Sequence, residues 1–144
     1  MSDSRVSSRP PRRANPDAPT LWHRRLARLV ARRWGVQLDF KGNLSEGTLD
    51  GRQIAIRCAK SKTPPISVSA SALERVHEVW GVFLTQTDAA QVYSLPAQEF
   101  KRLAYFYSPR NGQPTYTIRL KRFSSRATLL GTVPEEEVEG IEIP

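Results

Sequence analysis

EGTLDGRQIAIRCAKSK, residues 46–62, carries the strongest local signal in the chain. Asp50-Gly51 stands between two segments of strand character, Glu46–Leu49 and Arg52–Ala59. A two-residue hairpin turn needs positive φ at both central positions, and Asp-Gly supplies it at little steric cost. Side chains alternate along a strand, so Ile54, Ile56 and Cys58 point one way and Gln53, Ala55, Arg57 and Ala59 the other. Cys58 then reads as a small core residue. One cysteine permits no intramolecular disulfide, which suits a reducing compartment and a cytoplasmic location.

Outward from the hairpin the pattern alternates between helix and strand. Upstream, Trp22, Leu26, Leu29, Val30 and Trp34 recur at helical spacing over Leu21–Trp34, with Thr20 as N-cap and Gly35 at the C-terminal stop. Val36–Phe40 follows as a short strand. Downstream, Lys60–Pro65 reads as a loop. Ser71 and Glu74 form a capping-box pattern for a helix over Ser71–Val79. Trp80–Thr85 and Gln91–Leu95 are strands joined at Asp88-Ala-Ala, and a third helix is expected over Ala97–Tyr107. After the turn-rich SPRNGQP, residues 108–114, Thr115–Phe123 reads as a last strand, with Tyr116, Ile118 and Leu120 on one face and Arg119 and Lys121 on the other. The expected fold class is α/β, a central mixed sheet flanked by helices. It forms one domain over residues 20–133, between a disordered Arg/Pro/Ser-rich arm (1–19) and an acidic C-terminal tail (134–144), itself a polar tail or a weak edge segment.

Charge is the most informative global quantity. The net charge is +8 and the pI about 10.2, in the range of nucleic-acid binders. Nine arginines and two aspartates fall in residues 1–34, and five glutamates with no base in residues 134–144. A basic arm on a basic domain invites a polyanion, and the acidic tail is placed to shield it. Solubility alone also accounts for such a balance. No apolar run reaches the length of a membrane span, and no signal-peptide core opens the chain. His23 and His77, both expected within helices, make no zinc set with a lone cysteine. Phosphate-loop, dinucleotide, HExxH and GxSxG patterns do not occur.

The order helix, strand, hairpin, loop, helix, strand, strand, helix over residues 21–107 resembles the core of the PD-(D/E)xK, restriction-endonuclease-like superfamily. EGTLDGRQIAIRCAKSK looks like that family's central hairpin, and WGVFLTQTDAAQVYSLPAQEF, residues 80–100, like the segment after its active site. The resemblance implies a divalent-metal site built from an Asp on the first hairpin strand and a Glu/Asp-x-Lys on the second. It lays Glu46 on the first position, Ala55 on the second carboxylate and Arg57 on the lysine. Ala55 offers no ligand atom, and arginine stays protonated and cannot act as a base. The resemblance therefore implies a pseudo-nuclease that needs no cofactor.

The function expected from these readings is sequence-tolerant binding of DNA or RNA through phosphate contacts. The candidate residues are Arg12 and Arg13 in the arm, and Arg24, Arg25, Arg28 and Arg32 on the first helix. Arg57, Lys60, Lys62, Arg119, Lys121 and Arg122 complete them, with Arg52 beside the old cleft. Tyr105, Phe106 and Tyr107 are available to stack on bases or to pack in the core. Arg57 has an alternative partner in Glu46 across the hairpin. Two rival functions stay open: an active Mg²⁺-dependent nuclease using Glu46, Asp50, Arg57 and Lys60, with a carboxylate such as Glu74; and an interaction subunit whose basic arm docks on a protein partner.

Overall fold

The computed structural model describes residues 21–41, 44–61 and 65–141. The expectations for the arm, including Arg12 and Arg13, and for Lys62 lie outside them. In chain order the elements are α1 (Leu21–Trp34), β1 (Gln37–Lys41), β2 (Leu44–Leu49), β3 (Arg52–Ala59), β4 (Pro65–Ser69), α2 (Ala70–Arg75), β5 (Glu78–Leu84), β6 (Ala90–Pro96), α3 (Ala97–Leu103), β7 (Tyr105–Tyr107), β8 (Thr115–Arg119), α4 (Leu120–Arg126), β9 (Thr128–Val133) and α5 (Glu135–Gly140). The class is the expected one: a mixed central sheet with helices on both faces.

The central sheet has six strands in the order β1-β2-β3-β5-β6-β9. Only β3 and β5 run parallel; every other neighbouring pair is antiparallel. Asp50 (φ 52°) and Gly51 (φ 80°) form the β2–β3 turn with the two positive φ values the hairpin needs. α1 ends on Gly35 (φ 82°), and Val36 N–H donates back to Ala31 O at 2.8 Å, a Schellman-type stop. On one face of the sheet, α1 buries Leu26 and Val30 against Ile54, Ile56, Trp80, Val82 and Val92. On the other, Ala55, Val79, Phe83 and Leu95 meet Leu73 of α2, Phe100 of α3, Leu120 and Phe123 of α4, and a second sheet. That second sheet is three-stranded and antiparallel, in the order β4-β8-β7. The layers meet closely at Gly81, where an added Cβ would stand 2.5 Å from the Phe123 ring.

Several boundaries differ from the sequence reading, each for a local reason. α2 starts after Ser69, whose Oγ accepts from Ala72 N–H at 3.1 Å, and Ser71 lies inside the helix. It stops at Arg75 because the chain is captured at the N-terminal end of β3. His77 N–H donates to Gln53 O, and His77 Nδ1 accepts from Gln53 N–H at 2.9 Å. His77 therefore lies outside the helix and ties two elements together. The third helix stops at Leu103, and Tyr105–Tyr107 leaves it to pair with β8. The expected strand over Thr115–Phe123 turns into α4 at Leu120, so Lys121 and Arg122 are helical. Leu120 and Phe123, three residues apart, both reach the core from one helix face. β4 and β9 were not expected at all. The acidic segment is partly structured: α5 buries Val138 in the α1 layer, and Glu137 pairs with Arg33 at 3.1 Å. Among the described residues no helix is long and apolar enough to cross a membrane.

Candidate nucleic-acid interface

Glu46 lies in mid-β2, directly opposite Ala55 of β3 on one side and Asp39 of β1 on the other. Its side chain is almost wholly buried, and Arg75 from the end of α2 holds it with two bonds, Nη2 to Oε2 at 2.6 Å and Nε to Oε1 at 3.3 Å. The alternative in which Arg57 pairs with Glu46 across the hairpin is thus corrected. Arg57 instead donates Nε to Ser67 O at 3.3 Å and Nη1 to Ile56 O at 3.2 Å, bridging the two sheets. The register explains the choice: Glu46 faces Ala55, and Arg57 lies one pair further along that face, beneath β4. Magnesium demands several hard oxygen ligands in octahedral geometry. Glu46 spends both oxygens on Arg75, Ala55 has none to give, and Asp50 sits exposed in the turn. Glu74 is exposed on α2. Among the described residues no three His, Cys, Asp or Glu side chains converge as a metal set. The residues at the hairpin do not fit a divalent ion.

Arg57 and Lys60, expected to share one cleft, are separated: Arg57 bonds β4, whereas Lys60, in the bend after β3, meets α1 on the other side of the sheet. Lys60 lies with Nζ 5.0 Å from the centre of the Trp22 ring, a cation–π contact with the start of α1. Arg52 projects to the same side and pairs with Glu78, which also accepts from Trp80 Nε1 and Ser94 Oγ. Cys58 lies on this face, and burial pushes its thiol up to about 12, far from any nucleophilic range.

His23 sits edge-on to Trp22, and burial, with Lys60 nearby as a lesser cause, holds its imidazole below the usual histidine range. The sign of the consequence follows. The unfolded chain takes up this proton at a higher pH than the folded chain, so stability falls as pH drops through about 6.5, the ordinary histidine value. Urea midpoints between pH 7.5 and 5.5 should fall further in the wild type than in His23→Gln. Parallel curves would show that His23 contributes nothing to the slope.

The remaining candidates divide between the two outer layers. Arg28 and Arg32 are exposed on α1, whereas Arg24 and Arg25 are half-buried and Arg25 Nη1 donates to Ile141 O at 3.0 Å. Arg119, Lys121 and Arg122 lie beyond the opposite face, around the second sheet. There Arg119 and Arg122 line a groove of about 630 Å³ with Pro65, Leu103, Tyr105, Thr117 and Ile118. Arg122 is fixed at its rim by Nε donating to Leu103 O at 3.3 Å. Beside it runs β7, whose three aromatic side chains are all exposed: Tyr105 74%, Phe106 51% and Tyr107 59%. Sequence reasoning noted these aromatics but placed them in a helix. The signal that marks them as an edge strand is three aromatics in a row before a Pro/Gly-rich turn.

No family model matches the chain, and no curated protein matches it.

Proposed function

We propose that this protein binds nucleic acid through its phosphate backbone with little sequence preference, on a restriction-endonuclease-like core whose metal site is eroded. The observation that carries the binding reading is an excess of basic over acidic residues on the folded exterior. Residues 97–133, which form α3, β7, β8, α4 and β9, hold seven Lys or Arg and one acid, Glu99, itself paired with Arg102 at 2.6 Å. Arg28 and Arg32 add exposed charge from α1 on the other side. Such charge releases counterions from a polyphosphate and supplies sequence-independent affinity. The nuclease-like reading is supported by the succession α1, β1, the β2–β3 hairpin, α2, β5, β6 and α3, the order on which the resemblance rests. β4 departs from it by leaving between β3 and α2 for the second sheet. Loss of catalysis is supported by Glu46, whose carboxylate is engaged by Arg75 and faces alanine.

The test is binding of labelled duplex DNA, single-stranded DNA and RNA across a salt series, with and without Mg²⁺ or Mn²⁺, read on the same gel for cleavage. Affinity should fall at least tenfold between about 50 and 200 mM salt, as expected for several phosphate contacts, with no cleavage. Salt-insensitive binding, or none, removes the proposal. Cleavage that Glu46→Ala abolishes would replace a binder with an enzyme.

A further inference from the structure

The exterior of the second sheet is a built surface with a consistent chemistry. Register places Tyr105 opposite Thr117 and Tyr107 opposite Thr115, while Ser67 lies opposite Thr117 on its other side. Strand alternation therefore puts Tyr105, Tyr107, Thr115, Thr117, Ser67 and Arg119 on one face. The other face carries Ile66, Val68, Ile118 and Tyr116, turned toward the core, and the exposed Phe106, packed on Tyr116 at 4.9 Å. Nothing in the core needs Tyr105 or Tyr107, the two most exposed large hydrophobic residues among the described residues. They stand beside the groove that Arg119 and Arg122 line. On the β4 side of Thr117, the Ser67 and Thr117 hydroxyls are joined at 2.9 Å.

We infer that this face binds single-stranded nucleic acid, with Tyr105 and Tyr107 stacking on bases and Arg119 and Arg122 holding the backbone. The inference rests on the nucleic-acid reading above and assigns its surface and its substrate form. Two positions along one strand lie roughly 6.8 Å apart. That is about twice the ~3.4 Å rise per base of a duplex strand. Rings so spaced suit bases drawn away from one another, and base faces are available only in an unpaired strand. Aromatic platforms edged by cations bind single strands with little sequence preference, because every base has a π-face. Charge complementarity favours this occupant: residues 97–133, which supply two of the three strands of this sheet, carry the seven-to-one excess of base over acid.

The test is fluorescence anisotropy of the full chain with end-labelled oligo(dT), oligo(U) and a duplex of equal length. The variants are Tyr105→Ala/Tyr107→Ala, Arg119→Gln/Arg122→Gln and, on α1, Arg28→Gln/Arg32→Gln. Single strands of either sugar should bind more tightly than duplex. The tyrosine variant should weaken them about ten- to a hundredfold with its salt slope unchanged. The Arg119→Gln/Arg122→Gln variant should lower that slope by about two. Both tyrosines are exposed, so circular dichroism should match the wild type; if it does not, Tyr107→Phe, which keeps the ring, must retain wild-type affinity. Wild-type affinity in the tyrosine variant, together with loss in the α1 variant, overturns this surface and leaves the nucleic-acid reading standing. Tighter binding of duplex does the same. No binding to any polymer overturns both. A tyrosine variant that changes the protein's mass in solution but not its oligonucleotide affinity makes β7 a self-association edge and overturns the inference.

Discussion

Arg75→Met should destabilise the protein by about 2–4 kcal/mol, because it strands a buried carboxylate rather than removing a surface charge. Glu46 is the buried partner and Arg75 the half-exposed one, with side-chain exposures of 3% and 43%. Losing one partner of such a pair leaves the other to carry its full desolvation cost. The asymmetry makes the reciprocal change milder: Glu46→Leu leaves Arg75 free to turn into water. Combining Glu46→Leu with Arg75→Met should recover most of the loss, since an apolar pair of similar volume replaces the ions. Denaturant midpoints of the four proteins decide it. A double variant as unstable as Arg75→Met would mean that the ion pair is not what organises the centre of β2.

The second large effect lies where the layers meet. Phe123 is wholly buried against Gly81 and sits edge-on to Phe100 at 6.1 Å. Phe123→Ala should cost about 3–5 kcal/mol through lost burial and the cavity left behind. Gly81→Ala should cost about 1–3 kcal/mol for the opposite reason, since the new methyl meets the ring edge at 2.5 Å. The two errors offset each other in space, so the double variant should be clearly more stable than the sum of the singles implies. Strict additivity in thermal or urea unfolding would mean that the ring and the glycine do not share that space.

What could be read from the residues alone follows the range of the signal. Asp50-Gly51, the stop of α1 at Gly35 and the β5–β6 pair are each encoded within a few residues, and all three stand where expected. The failures come from neighbours distant in sequence. PISVS, residues 65–69, was not read as a strand, its proline closing the Lys60–Pro65 loop, because its reason for being a strand is β8, far along the chain. TYTIRLKRF alternates through Leu120, so nothing local separates the last strand residue from the first helical one. TLLGTV, residues 128–133, lacks clean alternation and leaves Leu129 exposed at the sheet edge. At the candidate site, the sequence offered Arg57 as the partner of Glu46 across the hairpin, whereas the register sets Glu46 opposite Ala55. The partner of Glu46, Arg75, could not be foreseen, because an exposed-looking arginine at the end of a six-residue helix reveals nothing about a carboxylate on another element. The separation of Arg57 from Lys60 was not readable either, because Lys60 stands in the bend after β3 and its contact is Trp22 of α1.

The crossing of β4 into the second sheet also shapes how the chain can assemble. β4 leaves the first sheet straight after β3, yet its partner β8 follows β5, β6 and α3. During synthesis Ile66 and Val68 must wait for Ile118 and Tyr116 to emerge before they can be covered. Pairings so far apart in sequence close slowly, because the loop entropy is spent before the contacts form. The two sheets therefore cannot be separated as fragments. A chain ending after α3 would keep the β2–β3 and β5–β6 hairpins but leave β4 an uncovered apolar strand, the kind of edge that recruits other chains.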